Sequence, residues 1–254
     1  MNTLKYISRD NYLIVQLDRG AANPMNQEML SEILQMLKDT AADDAIRGVI
    51  LTGKPNFFSA GLDVIELYGY DKPTIRKFWS DFMTMVTEMS AYPKPLIAAI
   101  TGHSPAGGCI MACCADYRVM ANNPKYKIGL NEVAVGIVPR QNILKLYEFW
   151  LGTRKAYQYL LEGKLMSPQE AEAVGLIDEL VEGEAVLAAA EAKMKKYLRL
   201  GQETLCMTKH NLKKELVEQL AANFEQNVET TNVRWWSEEG RALMGHIVAA
   251  LQKK

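Results

Sequence analysis

The apolar positions of this chain follow two different periods, and each change of period marks an element. Residues 12–17, Tyr-Leu-Ile-Val-Gln-Leu, are rich in β-branched and aromatic side chains and predict a strand. Residues 48–52 and 96–100 are short apolar runs, one ending at Gly53 and one opening after Pro95, which is the mark of buried strands. Residues 26–37 place Met29, Leu30, Ile33, Leu34 and Leu37 on one face of a 3.6-residue repeat and predict an amphipathic helix. Residues 74–89 predict a second helix, stopped by Tyr92-Pro93-Lys94-Pro95, because the residue before a proline is pushed out of helical conformation. From Gly107 onward an apolar run predicts a buried helix, and residues 117–120 return as a strand.

This alternation lasts to about residue 140 and predicts parallel strands joined by helical crossovers. From 142 to 254 no segment reads as a strand, and helices are predicted over 154–161, 168–173, 184–198, 203–220 and 238–252. The expected fold class is therefore α/β, with a strand-bearing core over 1–190 and a helical C-terminal region over 191–254.

A chain of 254 residues, 48% of them hydrophobic, can bury a full core. Its net charge of −1, with both signs scattered, argues against nucleic acid or an anionic membrane surface as a partner. The pairs Asp43-Asp44, Lys195-Lys196 and Lys213-Lys214 are expected on the solvated surface. Cys109, Cys113 and Cys114 lie in one apolar run without a second cluster at metal-ligand spacing; they read as buried free thiols of a reducing compartment, and no metal site is expected. Neither terminus carries a leader or a peroxisomal tripeptide and no apolar run reaches about 18 residues, so a soluble cytoplasmic protein is expected.

Chemistry concentrates in three segments. Asn56-Phe57-Phe58-Ser59-Ala60-Gly61-Leu62-Asp63 and Ser104-Pro105-Ala106-Gly107-Gly108 each follow a predicted strand, and the second opens a helix. Small residues at such turns let a ligand approach the backbone, and a helix start presents unpaired N–H groups. Two converging N–H groups would stabilise negative charge developing on a carbonyl oxygen. The third segment is Ile128-Gly129-Leu130-Asn131-Glu132-Val133, whose single glutamate would by itself read as a surface charge or a cap. His103 and Ser104 are adjacent in an extended stretch and point apart, so no nucleophile–base pair is expected there. Asp116 is expected to cap or pair structurally, with Arg118 as the partner at hand, and Phe224, Trp235 and Trp236 to serve the core or a subunit interface.

In this order, and joined by Asp116-Tyr117-Arg118, Leu165-Met166-Ser167-Pro168-Gln169-Glu170-Ala171 and Val174-Gly175-Leu176-Ile177-Asp178-Glu179-Leu180-Val181, the segments resemble the enoyl-CoA hydratase/isomerase (crotonase) family, most of all its Δ3,Δ2-enoyl-CoA isomerases. The likeness covers roughly residues 12–182. It implies a ββα spiral core, a C-terminal region serving trimerisation, and a homotrimer or hexamer. It implies an acyl-CoA substrate, with CoA present only as part of that substrate and no other cofactor. The N–H groups of Leu62 and Gly107 would bind the thioester oxygen, and Ala60, Gly61, Asp63 and Val64 would line the path of pantetheine and adenine. The loop 20–24, with Ala22, would flank the nucleotide; Glu132 would move the proton, with Asn131 beside the substrate.

One departure changes the expected chemistry. Ile110 stands where the family's hydratases carry a first catalytic glutamate. Adding water takes one group to activate the water and another to supply the α proton. A single carboxylate can instead take a proton from C2 of a thioester enolate precursor and return it at C4, moving a double bond from position 3 to position 2. An apolar Ile110 would also raise the pKa of Glu132. The expected activity is thus an enoyl-CoA isomerase. The alternatives are a hydratase, another single-carboxylate reaction such as decarboxylation, or a non-catalytic, RNA-binding relative. A second departure is Ile137-Val138-Pro139-Arg140-Gln141-Asn142 in place of the glycines that commonly follow the glutamate; Arg140 and Gln141 are expected to point to solvent rather than into the acyl pocket.

Overall fold

The computed structural model describes residues 2–252; Met1, Lys253 and Lys254, on which the reading of the termini partly rests, lie outside it. Strands β1 (Leu4–Ser8), β2 (Leu13–Leu17), β3 (Val49–Thr52), β5 (Leu96–Ile100), β7 (Tyr117–Ala121) and β9 (Glu179–Val181) form one sheet in the order β1-β2-β3-β5-β7-β9. β1 pairs antiparallel with β2, Leu4 opposite Leu17; the rest are parallel, as the alternation predicts, with Val49 opposite Leu96 and Ile97 opposite Tyr117. A second, small parallel sheet holds β4 (Asn56–Phe57), β6 (Gly102–Pro105) and β8 (Ile128–Gly129).

The two sheets grow together. β3 leads into β4, β5 into β6 and β7 into β8, so each turn of the chain adds one strand to each sheet before helices carry it back. After β4 come α2 (Val64–Tyr68) and α3 (Lys72–Ala91); after β6 comes α4 (Gly107–Cys114); after β8 comes a short 3-10 turn, Glu132–Val135, and then α5 (Gln141–Glu162) and α6 (Pro168–Ala173). α1 (Gln27–Ala42) links β2 to β3, and Asn26 caps it by accepting from the Met29 N–H at 3.0 Å. Gly102 turns the corner from β5 to β6; a Cβ there would lie 2.0 Å from the Asn56 carbonyl carbon, so only glycine lets the second sheet close.

Both faces of the main sheet are covered, which is why its strands read as continuous apolar runs. Leu13, Val15, Val49, Leu51 and Leu96 face α1 and α3, while Ile14, Ile50, Ile97 and Val119 face Val186, Ala190 and Met194 of α7 (Val186–Leu198). The boundary expected at 190 therefore falls inside α7, and the layered core extends through that helix. The C-terminal region then consists of α8 (Gln202–Ala221), α9 (Phe224–Trp236) and α10 (Glu238–Gln252).

Several expectations need correction. β1 and β9 escaped the pattern because β1 is largely exposed and β9 has three half-buried residues, so neither has a run of apolar positions to show. The predicted 154–161 helix is the second half of α5, which kinks at Gly152 (φ 69°, ψ 158°). Helix α9 was not predicted; Val228 and Trp235 are its only buried residues, too few for a periodic signal. Lys213 is buried, unlike its neighbour Lys214, because Asp116 accepts from both Lys209 (2.7 Å) and Lys213 (3.0 Å). Arg118 pairs with Asp178 at 2.7 Å instead of with Asp116, and it stacks on Trp150, 3.7 Å from the ring centre.

Candidate active site

The register of the small sheet brings the three chemical segments together. Asn56 pairs with Gly102 and Phe57 with His103, which sets the loop after β4 beside the start of α4. Ser104 pairs with Ile128 and Pro105 with Gly129, and the Ala106 N–H donates to the Gly129 oxygen at 2.8 Å. Gly107 and Glu132 thus sit two and three residues beyond one locked pair of strand residues, Pro105 and Gly129.

Peptide orientation aims the two backbone donors. The Gly61 oxygen accepts from the Met25 N–H at 2.7 Å, so in that planar trans peptide the Leu62 N–H points the other way. The Ala106 oxygen accepts from the Ile110 N–H at 2.9 Å inside α4, so the Gly107 N–H points out of the helix start. Among the described residues, neither N–H donates to a protein acceptor. The loops that carry them are in contact: a Cβ on Gly61 (φ 87°) would lie 3.2 Å from the Gly107 nitrogen, and one on Gly108 would lie 2.6 Å from the Ser59 oxygen. Ala106 adopts φ 46°, ψ −120°, a conformation costly for a residue with a Cβ, directly before this donor.

A cavity of about 580 Å³ opens over the pair. Its wall includes Leu62, Gly107, Ile110, Asn131 and Glu132, together with Ala22, Ala60, Asp63 and Val64. Gly61 alone of the expected site residues stays behind the wall, where it shapes the turn. Glu132 is 7% exposed, and its Oε2 has no hydrogen-bond partner. Burial pushes its carboxyl up to about 7, opposed by its own backbone N–H. The other cavity carboxylate, Asp63, is engaged: it accepts from Arg19 at 2.6 Å and caps α2 through the Glu66 N–H at 3.0 Å. Asn131 presents a side-chain oxygen, likewise without a partner.

Trp79 and Phe82 of α3, Ile143 of α5 and Met244 and Ile247 of α10 complete an apolar wall that sequence reasoning missed. Periodicity could place these residues only on buried helix faces, because which cavity a face borders depends on tertiary packing. Arg140 corrects an expectation: it lines the cavity, whereas Gln141 is exposed as anticipated. The left-handed Gly136 turns the chain back so that the Ile137 N–H donates to the Glu132 oxygen at 2.8 Å, which draws residues 137–140 along the wall before α5 begins. His103 and Ser104 form no hydrogen bond with each other; the His103 Nδ1 accepts from the Lys127 N–H at 3.2 Å. Among the described residues no group of His, Cys, Asp and Glu could hold a metal ion, and no helix is long and apolar enough to cross a membrane.

Comparison with known proteins matches these features. The enoyl-CoA hydratase/isomerase family model matches residues 9–242. Mouse (Mus musculus) mitochondrial enoyl-CoA delta isomerase 1 is 37% identical over 217 residues, which is 85% of this chain and 75% of that protein. The crystal structure of human mitochondrial delta3-delta2-enoyl-CoA isomerase superposes with a TM-score of 0.95 at 27% identity, covering 99% of this chain and 98% of that one. That of an enoyl-CoA hydratase from Mycobacterium ulcerans gives a TM-score of 0.82, also at 27% identity, covering 90% and 99%. With nearly its whole length matched and its glycine turns and glutamate brought to one cavity, this chain belongs to the enoyl-CoA hydratase/isomerase family.

Proposed function

We propose that the protein is an isomerase that moves a double bond of an enoyl-CoA from position 3 to position 2. The observation that carries this reading is the charge inventory of the cavity: one free carboxylate, Glu132, with the apolar Ile110 in the same wall and Asp63 held by Arg19. In this mechanism the thioester oxygen accepts from the Leu62 and Gly107 N–H groups. The Glu132 carboxylate takes the C2 proton, the negative charge passes to the oxygen held by the two donors, and the same carboxyl returns the proton at C4. A carboxyl with a pKa of about 7 is half ionised near neutrality, so it can serve as base in the first step and as acid in the second. CoA would lie along Ala22, Ala60, Asp63 and Val64, with Asn131 beside the reacting carbons.

Ile110 in the same wall also supports the isomerase over the hydratase reading, since it supplies no second acid–base group to activate a water molecule. Replacing Glu132 by Gln keeps shape and removes the base. Turnover of 3-hexenoyl-CoA should fall by at least about a thousandfold, at the upper part of what acid–base catalysis contributes, with acyl-CoA binding by calorimetry retained. Unchanged turnover would place the base elsewhere. Assembly into a trimer or hexamer belongs to the same reading; Met207, Leu212 and Val233 are at least 60% exposed on α8 and α9, as a subunit interface would require. The buried free thiols Cys109, Cys113 and Cys114 support a reducing compartment such as the cytoplasm.

A further inference from the structure

Arg140 is the one cation in the cavity wall among the described residues, and it has no counter-ion there. Its Nε donates to the Thr231 hydroxyl at 2.8 Å, and that hydroxyl donates to the Asn227 oxygen at 2.7 Å, which fixes the guanidinium against α9. No carboxylate among the described residues pairs with it. Its charged neighbour is Arg234, of the same sign and engaged by Glu239 at 2.6 Å. Burial and Arg234 hold the Arg140 guanidinium below its ordinary value, yet an arginine stays charged. Glu132 is not its partner either, since burial raises that carboxyl with no cation opposing it. A partly desolvated cation without a counter-ion costs free energy that an anionic ligand group would relieve.

We infer that Arg140 adapts this cavity to acyl-CoA thioesters whose acyl chain ends in a carboxylate. The inference rests on the acyl-CoA reading above. Arg140 belongs to the wall built by the start of α5 and by α9, with Trp79 of α3 lining the same cavity and packed on Trp235 of α9 at 5.6 Å. The loops assigned to CoA, with Ala22, Ala60 and Asp63, belong to other elements, before α1 and after β4. An acyl chain that runs from those loops past Glu132 to the wall at α9 would bring a terminal carboxylate to the guanidinium, whose two Nη groups fit it.

The test is calorimetric binding of saturated thioesters, which does not depend on which reaction the enzyme performs. Succinyl-, adipoyl- and suberoyl-CoA are compared with butanoyl-, hexanoyl- and octanoyl-CoA on the full chain and on Arg140→Gln. For at least one length the carboxylate member should bind about tenfold tighter, the effect of one charge-assisted contact, and Arg140→Gln should remove that advantage without weakening the alkyl member. Equal or tighter binding of the alkyl member at every length would overturn the inference, whether or not the variant folds. So would an equal loss for both members in Arg140→Gln, which would assign the guanidinium to the CoA phosphates. If neither series binds, the acyl-CoA reading falls along with this one, an outcome distinct from an alkyl preference.

Discussion

Glu132 holds a carboxyl group in a place where its charged form is poorly solvated, and two measurements follow from that. Its pKa is raised from 4.5 to about 7 in the folded chain. In the window between these values the folded state holds a proton that the unfolded state has lost, so stability from this group falls as pH rises. Glu132→Gln removes the titration. Its stability relative to the parent should therefore climb from about pH 4.5 to about pH 7 and level off above, by roughly 3 kcal/mol at most; urea unfolding at pH 5 and pH 8 checks it, and a pH-independent difference would contradict the buried carboxyl. The same ionisation should make kcat/KM rise with pH through about 7 and then level off. Ala106 gives a third test at this scale. At φ 46° and ψ −120° its Cβ is a strain, so Ala106→Gly should stabilise the fold by about 1 kcal/mol after the entropy glycine adds to the unfolded chain; a lower Tm would mean the strain is absent. That Glu132, Leu62 and Gly107 share one cavity wall was legible in the sequence, because the segments that carry them form a recognisable set. Arg140 is the exception, because the wall it joins is completed by Thr231 of α9 and by α10, whose approach to residues 137–140 is set by tertiary packing.

At the level of elements, the site depends on how closely the loop after β4 meets the start of α4. Gly108 is the contact point, where a methyl group would come within 2.6 Å of the Ser59 backbone oxygen. Gly108→Ala should push Ser59–Leu62 away from α4 and spread the two N–H donors, lowering kcat by about a hundredfold, the effect of losing one oxyanion donor. Circular dichroism should still show the fold, and full activity would mean the loops move without consequence. The strands that read clearly, β2, β3, β5 and β7, are buried on both faces, so their hydrophobicity is unbroken. β9 escaped because a short strand at the sheet edge needs no apolar run to be held by β7. The first half of α5 is a different case: it buries Asn142, Ile143, Leu146 and Tyr147 at helical spacing before the break at Gly152, so its period is present in the sequence.

Across the whole molecule, the C-terminal helices are clasped to the core and also contribute to the cavity. Lys209 and Lys213 reach from α8 to Asp116, which also accepts from the Leu96 N–H at 2.8 Å. Burial alone would raise the Asp116 carboxyl, and the two lysines more than reverse this, holding it below the usual range. Asp116→Asn leaves two ammonium groups without a counter-charge and should cost about 3 kcal/mol, since breaking a buried pair exposes the remaining charge to an apolar setting; a change within 0.5 kcal/mol by denaturant unfolding, the range of an ordinary surface substitution, would show that α8 is held by its apolar face alone. Long-range pairs of this kind are invisible to sequence periodicity, which sees Lys213-Lys214 only as a charged surface pair. On the other side, α10 places Met244 and Ile247 in the cavity wall, and Arg241 donates to the Tyr68 oxygen of α2 at 3.1 Å. The expected assembly region therefore also lines the cavity of its own chain. The central claim is that one carboxylate facing two backbone donors relocates a proton rather than adding water. It is tested most directly by giving the purified chain 3-hexenoyl-CoA and crotonyl-CoA in parallel and comparing kcat/KM for isomerisation and hydration. The account predicts isomerisation faster by at least about a hundredfold, matching the smallest contribution of one acid–base group; hydration as fast as or faster than isomerisation would contradict it.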